Sequence, residues 1–289
     1  MSEQQTFFHV GYARAASTFL QKSVFPALTG IQYVPRNRFR VREKEKKRFK
    51  MDKILMSRES GQRIFSRCDD VYRVFGSRII ISLRRQDSLI ASYYRLHVKR
   101  GHTTRFKRFL DLENNQGHWK TEELEFMRII RHVENTTGQK PIVLIFEDYI
   151  QDSELYMASL CAALDCGFDR EALKHKPVHK SYTDKQLRLR RQFADFFTGK
   201  DLDENKLEGK TPKYGHVVNY LKRRILLWSS AIFMLGVKFA PESWLSDEPL
   251  IDDTYLGQIR EYYQADWQAC VEYVAEQNQA LGVKPVLNR

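Results

Sequence analysis

Residues 9–18 read HVGYARAAST, and they continue a short β-type run at Thr6–Val10. Directly after them, Ser17–Leu28 carries Phe19, Leu20, Val24 and Leu28 at helical spacing. A strand that ends in glycine and runs straight into a helix start is where α/β proteins hold phosphates. Gly11 lets the backbone turn sharply and approach a ligand. The amides of residues 13–18 then point outward at a helix N-terminus, whose dipole favours an anion. Ser17 and Thr18 add hydroxyl donors, and Arg14 adds a fixed positive fork. The nucleoside-triphosphate pattern G-x-x-x-x-G-K-[ST] asks for Gly at position 16 and Lys at 17. Ala16 and Ser17 stand there instead. Read as an ordinary strand-to-helix turn, the stretch needs only Ser17 or Thr18 as its N-cap.

Working outward, Ile31–Val34, Lys53–Ser57, Arg78–Leu83 (RIIISL) and Pro141–Phe146 (PIVLIF) are further strand candidates. Helical patterns fall at Glu59–Phe75, Asp87–Val98, Glu122–Glu134 and Ser153–Leu164. Continuous apolar strands alternating with helices predict an α/β fold, a parallel sheet covered on both faces. After about Gly167 the strand signals stop. Asp184–Phe197, Val217–Val237 and Thr254–Leu281 are helical in pattern, separated by the polar, glycine-punctuated stretch GKDLDENKLEGKTPKYG. The expectation is one domain over 1–289, with an α/β ligand-binding part at 1–166 and a mainly helical part at 167–289.

The second informative stretch is RIIISLRRQDSLIASYY, residues 78–94. It joins a buried strand, Arg84 at its carboxyl end, and a helix carrying Ser92 eight residues on. Ligands of open α/β sheets sit at the carboxyl ends of strands, so Arg84 and the loop at 11–18 can converge. Here the chain resembles the sulfotransferases that use 3′-phosphoadenosine 5′-phosphosulfate (PAPS), which have a P-loop-like α/β fold. That family's first strand leads into G-x-x-[KR]-[TS]-G-[ST]-[ST], which wraps the donor's 5′-phosphosulfate. A later strand ends in an arginine that, with a serine eight residues downstream, takes the 3′-phosphate, in a setting like R-x-P-x-x-R-x-x-S-x-Y. The resemblance implies a donor loop of Gly11, Tyr12, Ala13, Arg14, Ala15, Ala16, Ser17 and Thr18, and a 3′-phosphate pair of Arg84 and Ser92, followed by Tyr94. VLIFEDYIQD (143–152) is similar to the family's fourth-strand segment and IREYYQADWQACVEYV (259–274) to its closing helix. The chain departs from the pattern at Ala15 and Ala16, at Gln86 where Pro is common, and at Leu89 where a second Arg is frequent.

Sulfuryl transfer is an in-line displacement in which charge builds on the leaving phosphate, so positioning and electrostatics supply most of the catalysis. Arg14 and the loop amides are placed to take that charge. The resemblance implies no metal, and no cluster of Asp, Glu and His stands out in the sequence. An acceptor hydroxyl or amine needs a general base, and the first candidate is Glu59 in ILMSRES, just past a strand end. Equally, Glu59 reads as a carboxylate in the first turn of a helix capped by Ser57. His9, His97 and His102 are weaker candidates, and His9, in an apolar strand, reads as a packed residue. A nucleotide kinase is the competing enzyme reading, with Asp148 as its one magnesium-ligand candidate. A non-catalytic polyanion-binding protein is the competing reading without chemistry.

Composition bears on partners. With 48 Lys and Arg against 36 Asp and Glu, the net charge is +12, which favours polyanions. Arg36–Lys50 is a basic segment that reads as a solvated face or loop, or as an acceptor-binding rim for an acidic glycan, and no nucleic-acid motif stands out. RRILLWSSAIFMLGV (223–237), after Lys222, is too short for a bilayer span; it reads as a core helix or as one resting at a membrane interface. Cys68, Cys161, Cys166 and Cys270 have no metal-type spacing, and Cys161 and Cys166 do not share a helix face well. Without a signal-peptide pattern at the N-terminus, the expectation is a cytoplasmic protein, with peripheral contact at the inner membrane face through 222–237 as the further option. The acceptor expected is a carbohydrate or lipid-linked glycan.

Overall fold

In the computed structural model, five parallel strands form one sheet: β1 (Gln5–His9), β3 (Gln32–Val34), β4 (Lys53–Ser57), β5 (Arg78–Leu83) and β6 (Ile142–Ile145), in the order β3-β4-β1-β5-β6. The structure describes residues 4–36, 52–172, 182–198 and 241–283. The α/β class expected from the sequence is the one observed. β1 is central because Phe7 and Phe8 are both fully buried, one on each face. The connection from β1 runs to one side of the sheet and the one from β4 crosses to the other. That reversal opens a crevice at the carboxyl end of β1.

One face of the sheet presents Phe7, Leu55, Ile80, Ile142 and Leu144 to the chain that follows β1 and to helix α7 (Ser153–Leu164). α7 is capped by Asp152, whose carboxylate accepts from the amides of Glu154 (3.1 Å) and Leu155 (3.0 Å). Helix α5 (Phe126–Thr137) packs on both α2 (Ile64–Phe75) and α10 (Gln264–Ala280), α2 touching β5 and α10 touching β6. α10 also finishes the sheet edge. The Gln277 amide donates to the Val143 carbonyl (3.0 Å) and accepts from the Val143 amide (2.8 Å), which satisfies backbone that β6 would otherwise expose. Asp266 on α10 caps α5 from outside, accepting from the Phe126 (2.9 Å) and Met127 (3.0 Å) amides and from Gln86 Nε2 (2.8 Å).

Several sequence expectations are corrected by tertiary packing. Ser17–Leu28 is not one α-helix but a short α1 (Ser17–Phe19), a π turn at Leu20–Val24 and a 3₁₀ turn at Phe25–Ala27. Leu28–Thr29 then forms β2, antiparallel to β7 (Gly167–Phe168) in a second, two-stranded sheet. Thr254–Leu281 is divided at Tyr263 into α9 (Asp253–Tyr262) and α10. The segment Glu122–Glu134 is a 3₁₀ turn at Thr121–Leu124 followed by α5. The helix expected at Val217–Val237, the apolar stretch 223–237 with Lys222, and the basic segment beyond Arg36 lie outside the described residues.

Two compact units are distinguished: Met1–Leu89 with Glu122–Val178 and Glu261–Arg289, which holds the sheet, and Ile90–Thr121 with His179–Arg260. In the second, Tyr94 of helix α3 (Gln86–Lys99) is fully buried among Phe106 and Phe109. Its hydroxyl donates to the Thr104 carbonyl (3.0 Å) and accepts from Arg191 (3.2 Å) on α8 (Asp184–Thr198). Arg105 pairs with Asp195 (2.9 Å) and Glu248 (2.7 Å) in the same unit. Among the described residues no helix is long and apolar enough to cross a membrane.

Candidate functional site

The loop after β1 leaves the sheet at Gly11 and turns twice through left-handed backbone, at Arg14 (φ 76°) and Ala16 (φ 59°). Non-glycine residues enter that region at a cost of about 1–2 kcal/mol, and such strain persists where surrounding structure enforces it. Backbone that alternates in this way turns successive amides toward one concavity, which is an anion-binding arrangement. Inside the turn, the Tyr12 carbonyl accepts from the Ala15 amide (3.3 Å) and from the Ser17 hydroxyl (2.7 Å). The Tyr12 ring is fully buried against Phe126, and its hydroxyl donates to the Glu123 carbonyl.

Gly11 has a reason different from the one its position suggests. Its φ is not left-handed; instead, a Cβ there would stand 2.0 Å from Ser82 Oγ and 2.7 Å from His9 Nε2. The need is for space against neighbouring strands. Ser17 also differs from expectation: neither it nor Thr18 is the N-cap, which is Ala16, and the Ser17 side chain is buried and turned inward. Its backbone amide is what remains for a ligand at the helix start. Ala13 and Ala15 complete the loop, Ala15 fully buried and Ala13 half-buried.

Arg84 follows the last residue of β5 and reaches this loop. Its Nη1 donates to the Arg14 carbonyl (3.3 Å), and its guanidinium lies over the Phe146 ring at 5.2 Å. Arg84 Nε is buried without a hydrogen-bond partner. A buried cationic donor left unpaired calls for an acceptor from elsewhere. The adjacent Arg85 is committed: its Nε and Nη2 donate to the two oxygens of Asp87 (2.8 and 3.0 Å). Of the two arginines in tandem, geometry leaves Arg84 for a ligand. The unusual Gln86 and Leu89 have structural duties, Gln86 bonding Asp266 and the Leu124 carbonyl (3.3 Å), Leu89 filling the core.

Glu59 joins the same cluster. It does not stand in a helix first turn capped by Ser57; it lies in the loop between β4 and a 3₁₀ turn at Gly61–Arg63, and Ser57 closes β4. Its half-buried carboxyl is hydrogen-bonded to the Thr18 hydroxyl. Burial, the larger effect, pushes it above the usual carboxylate range, while Arg36, Arg14 and the Thr18 bond pull the other way. A carboxyl raised toward neutrality next to cations is the environment a general base needs.

The remaining candidates have surroundings of their own. His9 is fully buried between Ser57 and Ser82, and burial lowers its pKa to about 3. His97 and His102 stack on each other (4.0 Å between ring centres) in the second unit, where buried Ser92 also lies, on α3. Asp148 lines a cavity of about 10 Å³ with Tyr156, Ser159 and Asn278. Among the described residues no group of three or more His, Cys, Asp or Glu side chains is arranged to hold a metal ion. Sequence reasoning missed a cleft of about 530 Å³ beside α1, lined by Phe19, Tyr149, Met157 and Phe168, with the Glu154–Arg170 ion pair (2.7 Å) at its wall. Sequence reasoning also kept Cys161 and Cys166 apart, yet left-handed Asp165 (φ 46°) turns the chain back after α7 and the two thiols are hydrogen-bonded.

A sulfotransferase from Alicyclobacillus acidocaldarius is similar in fold at a TM-score of 0.43 and 15% identity, over 69% of this chain and 98% of that one. No family model and no curated protein matches the sequence.

Proposed function

We propose that this chain is a sulfotransferase that moves a sulfuryl group from PAPS to an acceptor hydroxyl or amine by in-line displacement. The observation that carries the reading is Arg84, whose buried and unpartnered Nε stands beside the left-handed loop at Arg14 and Ala16. A ligand with two separate anionic groups, one for the loop amides and one for an arginine, suits this pair. The bisphosphorylated nucleotide is such a ligand, and the position that a triphosphatase gives to lysine is Ser17 here, with its side chain turned inward.

The residue roles in this reading are as follows. Amides of residues 13–18 cradle the 5′-phosphosulfate, and exposed Arg14 meets the charge that grows on the leaving phosphate. Arg84 takes the 3′-phosphate. The aromatic cleft at Phe19, Tyr149 and Phe168 offers stacking faces for the adenine. Glu59 accepts the acceptor's proton, and the Thr18 hydroxyl and Arg14 hold its carboxylate at the loop. A carbohydrate or lipid-linked sugar is the acceptor class we favour, because a carboxylate base suits an alcohol acceptor.

Titration calorimetry of the purified chain tests the reading. Adenosine 3′,5′-bisphosphate, the desulfated product, is expected to bind without added metal and to compete with PAPS. Binding of ATP with magnesium in its place, or of neither nucleotide, would refute it.

A further inference from the structure

Beneath the loop lies a line of buried polar side chains that the proposed chemistry leaves unused. Gln21 Nε2 donates to Ser57 Oγ (2.9 Å), and Ser57 Oγ is 2.8 Å from His9 Nδ1. His9 Nε2 is 2.9 Å from Ser82 Oγ, and Ser82 Oγ approaches Ser17 Oγ at 3.5 Å. Ser17 Oγ donates to the Tyr12 carbonyl (2.7 Å). His9, Ser17, Ser57 and Ser82 are all buried, so each donor and acceptor must be satisfied within the line.

The two ends, with the requirement that every buried hydroxyl proton find an acceptor, set the direction of the bonds. An amide nitrogen can only donate, and a carbonyl can only accept. Ser57 accepts from Gln21, and the acceptor left for its own buried proton is Nδ1. Nδ1 is therefore bare, and the neutral ring carries its hydrogen on Nε2, facing Ser82. At the other end Ser17 spends its proton on Tyr12, so Ser82 donates to Ser17. Each hydroxyl accepts once and donates once. An imidazolium would aim a second N–H at the Ser57 proton and break this order; burial, which lowers the His9 pKa to about 3, keeps the ring neutral.

We propose that His9 is a positioning residue for the phosphate loop, its Nε2–H tautomer passing a one-way chain of hydrogen bonds from Gln21 across β4, β1 and β5 to the Tyr12 carbonyl. The chain ends on the oxygen that closes the turn at Ala15, and so governs how the following amides are displayed. Gly11 lies directly on it, with room for no side chain between the loop, Ser82 and His9. The three strands are joined at their carboxyl ends by the same ring: His9 stands opposite Ser57 in β4 and Ile80 in β5.

This inference rests on the donor reading above, and the test separates the two. Ring-nitrogen NMR of the wild-type chain at neutral pH, with the His9 signal assigned by its loss in His9→Gln, is expected to show a bare Nδ1 and a protonated Nε2. The opposite tautomer, or an imidazolium, would overturn the relay. In calorimetry with adenosine 3′,5′-bisphosphate, Ser82→Ala and His9→Leu are each expected to weaken binding by about tenfold or more, the cost of one buried group left unpaired. His9→Gln, which keeps an N–H near the position of Nε2, should stay within about threefold of wild type. Melting temperature is recorded on every variant. If Ser82→Ala and the folded His9 variants melt earlier yet bind as wild type, His9 is a core post and the inference fails. Should His9→Leu not fold, Ser82→Ala and the tautomer decide. A wild-type chain that binds no bisphosphate refutes the donor reading instead, and the relay then stands or falls on the tautomer.

Discussion

Gly11→Ala puts the packing beneath the loop to a direct test. The added Cβ would meet Ser82 Oγ at 2.0 Å, against 3.4 Å or more for ordinary contact, so the oxygen must retreat by about 1.4 Å. Rotating Ser82 away strips the 2.9 Å bond to His9 Nε2 and leaves a buried N–H unpaired, at about 1–3 kcal/mol. The ring itself, 2.7 Å from the new methyl, must also shift, and overpacking of this kind costs about 1–3 kcal/mol. Together the loss should be roughly 2–6 kcal/mol, which at about 2–4 °C per kcal/mol lowers the melting temperature by roughly 4–24 °C. Thermal and urea unfolding of Gly11→Ala, Ser82→Ala and the double variant form a cycle. In the Ser82→Ala background the penalty should shrink, since the nearest atom is gone, but not vanish, because the Ser82 Cβ is still 3.1 Å away. A Gly11→Ala protein as stable as wild type, or one whose penalty is the same in both backgrounds, would show that the loop does not rest on this line of side chains.

Four further outcomes are expected. Arg84→Ala should weaken the 3′-phosphorylated product tens of fold, since a charged hydrogen bond is worth ~1.5–3 kcal/mol, while an analogue lacking the 3′-phosphate is little affected; equal losses on both ligands would move that phosphate elsewhere. Arg14→Ala should reduce turnover more than donor affinity, and Arg14→Lys should restore much of the rate, because the charge it meets grows in the transition state; unchanged turnover would make Arg14 a surface residue of the turn. Glu59→Gln should lower turnover by ~10²–10⁴-fold with donor affinity nearly unchanged, measured on one preparation, and normal turnover would place the base elsewhere. Burial, helped by Glu147, raises the Asp148 pKa from 3.8 to about 6, so the folded chain binds that proton more tightly than the unfolded one. The stability linked to this group is therefore complete below pH 3.8 and is lost as pH rises through about 6. Asp148→Asn should accordingly raise stability at pH 7.5, by up to roughly 3 kcal/mol, with no gain at pH 4; a gain that ignores pH would refute the assignment.

What the sequence determined by itself is the five strands of the main sheet, with the helices bounded by clear stop signals. Ile54–Met56, Ile79–Leu83 and Ile142–Ile145 are buried on both faces, so each is apolar along its length save for Ser82, and such a run is visible without its neighbours. Lys53–Ser57, Arg78–Leu83 and Ser153–Leu164 form over the residues their patterns predict. The positions of the loop and of Arg84 were also legible, since a glycine at a strand end and an arginine at another are local features, but the left-handed turns at Arg14 and Ala16 were not. Tertiary structure alone decided the rest. The break of Ser17–Leu28 into three kinds of helical turn serves the seating of Leu20, Val24 and Phe25 on the sheet, and propensity cannot anticipate that seating. Ser17 turned inward, Glu59 came to Thr18, Asp266 capped α5, and His9 found two serines 48 and 73 residues away. Hydrogen bonds fall off steeply with distance and angle, so such partners become fixed only after the sheet has set its strand order and register. Ser17 and Tyr12 are neighbours in sequence, but no local window contains both members of the other pairs; burial, which forbids either to stay unpaired, selects them in three dimensions.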